Sequence, residues 1–122
     1  MENKKVMIVD DDKEFLEELE DVLADSGYDL VAVTDSIKVL DVALRIKPDV
    51  IIMDLKMPYR SGFQLADELR RYSELQHVPI LAMTAFFKND YTQLMDSCGI
   101  KKCLQKPFNP LDVIAEIERA MV

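Results

Sequence analysis

A chain of 122 residues, 49% hydrophobic and 31% charged, is long enough to bury one real core and too mixed for disorder or a membrane-embedded fold. Asp and Glu number 23 against 15 Lys and Arg, and the formal net charge of -8 argues against direct nucleic-acid binding, which needs a basic footprint. No apolar run approaches a membrane-spanning length, and Met1-Glu2-Asn3-Lys4-Lys5 carries no signal-peptide core, so a cytoplasmic location is expected.

In chain order, apolar periodicity alternates strand with helix. Lys5 to Val9 reads as a continuous apolar strand. Lys13 to Ala24 reads as a helix with Phe15, Leu16, Leu19, Val22 and Leu23 on one face, Asp12 as N-cap and Ser26-Gly27 as its stop. Asp29 to Val33 gives a second strand. Asp35 to Ile46 gives a second helix, turning Ile37, Leu40, Ala43 and Leu44 inward, with Pro48 marking its end. Val50 to Met53 is a third strand, and the loop Lys56 to Ser61 leads to a helix through Phe63, Leu65, Ala66 and Leu69. Pro79 opens a fourth strand, Ile80 to Met83, before a weaker helix over Asn89 to Ser97 that Cys98-Gly99 stops. Lys102 to Gln105 is the fifth strand, and Pro110 sits near the first turn of a last helix carrying Leu111, Ile114, Ile117 and Met121.

Five strands alternating with five helices predict one α/β domain over residues 1–122, a parallel sheet with helices on both faces. Ligands of such sheets bind outside the carboxyl ends of the strands. Asp10, Asp11, Asp54, Thr84 and Lys106 all fall there. Alone, each has an ordinary reading: a helix cap, a strand-end polar residue or a plain turn. Together they place several carboxylates, a hydroxyl and an ammonium at one edge. Carboxylates so close repel one another unless a cation joins them. Hard oxygen donors without histidine or thiolate suit Mg2+, which takes one or two carboxylates and completes its shell with water and phosphate oxygens. A carboxylate nucleophile, divalent cation, lysine and hydroxyl form a set suited to phosphoryl transfer onto aspartate.

With these residues in order, the chain resembles the receiver domain of two-component response regulators from Lys4 to Met121. The matching elements are Asp10 and Asp11 after the first strand, Asp54 within Ile52-Met53-Asp54-Leu55-Lys56-Met57-Pro58, Thr84-Ala85, and Lys106-Pro107-Phe108. The resemblance implies a flavodoxin-like sheet of order 2-1-3-4-5. It also implies that Asp54 accepts a phosphoryl group from a phosphohistidine on a sensor histidine kinase or phosphotransfer protein. Asp10, Asp11, Asp54 and the Lys56 backbone carbonyl would hold Mg2+, while Thr84 and Lys106 would bind phosphoryl oxygens across a cis Lys106-Pro107 peptide. Such a module catalyses only its own phosphorylation and dephosphorylation and acts on a downstream protein target, or on an output domain outside this chain, with no nucleic acid or membrane as direct partner.

Two departures from that family pattern matter. Three residues before the lysine the family carries Tyr or Phe, a ring that turns inward with the threonine; here it is Cys103, which leaves Phe86 to Tyr91 to carry the signal. Two residues beyond Asp54 and Thr84, where water access to the acyl phosphate is shaped, stand Lys56 and Phe86, and slow self-dephosphorylation is expected. A receiver-like scaffold that binds partners without phosphorylation is the alternative. A small aspartate-nucleophile phosphatase fits poorly, because Lys56 occupies the place of its second acid-base aspartate. Cys98 and Cys103 read as small apolar residues, His77 as surface, the methionines as core, and Tyr59, Phe86, Phe87 and Tyr91 as a candidate docking face.

Overall fold

The computed structural model describes residues 3–106 and 108–121. Strands β1 (Lys5–Val9), β2 (Asp29–Val33), β3 (Val50–Asp54), β4 (Ile80–Thr84) and β5 (Ile100–Gln105) pair in parallel in the order β2-β1-β3-β4-β5. Helices α1 (Lys13–Asp25), α2 (Val39–Ile46), α3 (Gly62–Leu69), α4 (Tyr91–Cys98) and α5 (Pro110–Ala120) make the crossovers. The expected strand order and five-helix count are borne out among the described residues.

The central strands are apolar on both faces because each face meets helices. Side chains alternate across a strand, so each strand feeds two cores. Met7, Val9, Ile51, Met53 and Ala82 pack with Val39, Ala43, Leu65, Leu69 and Met95 under α2, α3 and α4. Val6, Ile8, Val50, Ile52, Leu81 and Met83 pack with Leu16, Leu19, Leu23, Val113 and Ile117 under α1 and α5. A one-residue slip of register would exchange the two sets. Register is therefore fixed from both sides, with Ile8 opposite Ile52 and Asp54 opposite Met83.

Several boundaries and faces differ from expectation. The second helix is split: Ser36–Lys38 forms a 3-10 turn capped by Asp35, and only Val39–Ile46 is α-helical. That turn rotates Ile37 out to 62% exposure and buries Val39 instead, so the inward reading of Ile37 is corrected. In α5, Pro110 sets the helical phase so that Leu111 lies on the solvent side while Val113 and Ile117 go in. β5 starts at Ile100, earlier than expected, because Gly99 caps α4 in the left-handed region at φ 72 and the strand follows at once. Helix α4 begins at Tyr91, after a loop that runs past Asn89. Ser61 and Gln64 form a capping box at the start of α3, which fixes where the loop after β3 ends.

Candidate functional site

β1 and β3 are neighbours in the sheet, so Asp10 follows one strand and Asp54 closes the other at the same edge. Asp10 is fully buried and Asp54 is 8% exposed, while Asp11 is open to solvent. Oxygens of Asp10, Asp11 and Asp54 lie within 4.8 Å of one another. β4 adds Thr84, buried, and β5 leads into Lys106, whose backbone amide donates to the Thr84 carbonyl at 2.7 Å. Asp10, Asp11, Asp54, Thr84 and Lys106, expected at the strand ends, are thus brought to one edge.

Their hydrogen bonds set the orientation of each group. Lys106 Nζ donates to Asp10 Oδ2 at 2.7 Å and only weakly to Asp54 Oδ2 at 3.5 Å, so its tight partner is Asp10 rather than Asp54. Asp10 Oδ1 accepts from the Asp12 amide at 3.0 Å, which uses both Asp10 oxygens. Asp54 Oδ1 accepts from the Lys56 amide at 3.0 Å. Its Oδ2 is the more loosely held oxygen. The Thr84 hydroxyl closes a turn, accepting from the Phe86 amide at 3.2 Å and facing the Phe86 carbonyl at 3.4 Å.

Electrostatics follow from this geometry. Burial raises the Asp54 carboxyl above the usual aspartate range; the Lys56 amide and the Lys106 charge pull it back, and Asp10 adds to the rise. Burial works against the Lys106 ammonium, yet its hydrogen bond to Asp10 and the charges of Asp10 and Asp54 outweigh that and hold its pKa above normal. Three clustered carboxylates, of which Asp10 and Asp54 meet the one ammonium, leave excess negative charge in a small volume. Hard oxygens of this number, with Asp11 open to water, fit Mg2+ and its preference for a partly hydrated shell. The cis peptide expected at Lys106-Pro107 lies outside the described residues.

Gly62 packs against the backbone at the end of β3. A Cβ there would stand 2.6 Å from the Asp54 carbonyl oxygen and 2.9 Å from Leu55 Cα, so α3 can approach the end of β3 only with glycine. Residues that sequence reasoning passed over are Phe15, read only as part of a core face, and Arg70. Arg70 Nη1 and Nη2 donate to the carbonyls of Leu75, Gln76, Val78 and Gly99, tying α3 to the turns before β4 and β5. No local pattern marks either residue, because their partners come from distant segments. Tyr91 is half-buried rather than exposed, edge-on to Phe63 and Phe87 at centroid separations of 5.1 and 5.9 Å.

The response regulator receiver domain family matches residues 6–118. The polar-differentiation response regulator DivK of Brucella anthropi is 31% identical over 106 residues, covering 87% of this chain and 86% of that protein. The chemotaxis protein CheY4 of Vibrio cholerae superposes with a TM-score of 0.92 at 30% identity, over 97% of this chain and 98% of that one. The receiver domain of a sensor histidine kinase from Pseudomonas aeruginosa, solved with magnesium in its active-site cleft, gives 0.88 at 26% identity over 98% of each chain. The chain belongs to the response regulator receiver family and is a two-component signalling domain with the flavodoxin-like receiver fold. Among the described residues, no helix is long and apolar enough to cross a membrane.

Proposed function

We propose that Asp54 is the phosphoacceptor of a receiver module spanning this chain, and that transfer to it requires Mg2+. One observation carries this reading: a nearly buried aspartate presents a loosely held Oδ2 beside an ammonium and two further carboxylates. Asp54 Oδ2 attacks phosphorus on a phosphohistidine. The new O–P bond forms as the N–P bond breaks, and its electron pair leaves with the imidazole nitrogen. Asp10, Asp11, Asp54 and the Lys56 carbonyl would hold the metal, which when bound supplies charge neutralisation for the phosphoryl oxygens. Lys106 moves its free donors from Asp54 onto one phosphoryl oxygen, and Thr84 exchanges its turn with Phe86 for another. The donor is a sensor histidine kinase or histidine phosphotransfer protein. The altered surface then binds a downstream protein or an attached output domain. The only reactions catalysed are gain and loss of the chain's own phosphoryl group, in the cytoplasm.

Intact mass after incubation with acetyl phosphate tests the reading. One added phosphoryl group is expected with Mg2+, and none in chelator or in Asp54→Asn. A folded wild-type protein that gains nothing sinks the proposal and leaves the phosphorylation-independent scaffold.

A further inference from the structure

We infer that Phe15 is the positioning residue for Lys106, the seat that holds its ammonium on Asp10 and within reach of Asp54; this rests on the phosphoacceptor reading above. Lys106 Nζ lies 4.3 Å from the centroid of the Phe15 ring, within cation–π range. Phe15 is the third residue of α1, and its amide donates to the N-cap Asp12 Oδ1 at 3.2 Å. The Asp12 amide donates to Asp10 Oδ1 at 3.0 Å, and Asp10 Oδ2 accepts from Lys106 Nζ at 2.7 Å. Asp10, Asp12, Phe15 and Lys106 therefore close a circuit on themselves. Phe108 meets the Phe15 ring at a centroid separation of 5.6 Å and an interplanar angle of 81°, so the ring has a second aromatic partner.

The circuit answers a physical need. A lysine ammonium sits on a flexible four-carbon stem and offers three donors. Asp10 and Asp54 take two of those directions, and the aromatic face occupies a further side. A third carboxylate there would hold the cation more tightly but would also compete with the phosphoryl oxygens for its charge. A ring face attracts the cation without accepting a proton or forming an ion pair. The charge is thereby placed before the reaction begins. Phe15 acts through Lys106.

The test compares wild type, Phe15→Leu and Phe15→Tyr, with Mg2+ and acetyl phosphate, following the rate of phosphoryl addition by mass. Proton NMR follows the Lys106 ε-methylene shift in the same three proteins. Phe15→Leu is expected to slow addition about fivefold and to lose the upfield ring-current shift, and Phe15→Tyr to restore both. Equal rates in wild type and Phe15→Leu, an unmoved Lys106 shift, or a tyrosine variant as slow as the leucine one overturns the inference alone. A wild type that takes no phosphoryl group overturns the phosphoacceptor reading, and with it any part for Phe15 in transfer.

Discussion

Lys56 and Phe86 come from different loops, yet Lys56 Nζ lies 5.3 Å from the Phe86 ring centroid. The pair spans the loops that follow β3 and β4, beside the two residues, Asp54 and Thr84, that an acyl phosphate would engage. Neither side chain is suited to activating water there: a protonated lysine is no base, and a phenyl ring forms no hydrogen bond to orient water. Slow loss of the phosphoryl group is the expected consequence. Replacing the pair by Lys56→Asn and Phe86→Glu should speed decay by about tenfold, followed by mass after donor removal. An unchanged decay rate, or a wild type that already decays fast, would rule the idea out. Cys103 is half-buried, and burial together with the Asp54 charge pushes its thiol up to about 11, so it is neither a ready nucleophile nor a ring able to move.

At the scale of elements, Arg70 joins pieces that the sequence shows only as separate loops. Its guanidinium serves the carbonyls of Leu75, Gln76, Val78 and Gly99, the last being the C-cap of α4. Removing it takes a donor from the part-buried carbonyls of Leu75, which keeps the Val78 amide, and Val78, and from the more exposed carbonyls of Gln76 and Gly99. Arg70→Ala should cost about 2 kcal/mol in denaturant unfolding, and Arg70→Lys should recover only part, because a point charge cannot reproduce the planar fork. Full stability in Arg70→Ala would show that water replaces the guanidinium at no cost. The same contrast between local and distant partners explains the second helix. Apolar spacing found its existence, but Asp35 captures the Ile37 amide and starts a tighter turn, which shifts the face.

For the whole molecule, the parallel sheet concentrates negative charge that the chain spreads over 44 positions between Asp10 and Asp54. Without metal, that concentration opposes folding, and burial, with the Asp10 charge adding to it, raises the Asp54 pKa. Once pH passes the ordinary aspartate pKa, the unfolded Asp54 ionises more readily than the folded one, so stability falls with rising pH until the folded group ionises too. In chelator at pH 7, Asp54→Asn should therefore have a higher Tm than wild type, with the gap closing as pH drops below about 4. Mg2+ at about ten times its Kd should raise the wild-type Tm by roughly 5 °C and the variant's by less. A wild type indifferent to Mg2+ in thermal unfolding would remove the metal from the account.

The sequence by itself determined the alternation of five strands and five helices, the doubly covered sheet, and the strand-end placement of Asp10, Asp11, Asp54, Thr84 and Lys106. Those features are legible because apolar period and turn chemistry are local. Which oxygen meets which proton was decided by the tertiary structure. Lys106 pairs with Asp10 across 96 positions, Phe15 seats it from α1, Lys56 meets Phe86 across two loops, and Gly62 admits α3 to the end of β3. Each of these contacts depends on strand order and register, which bring together segments that share no local signal.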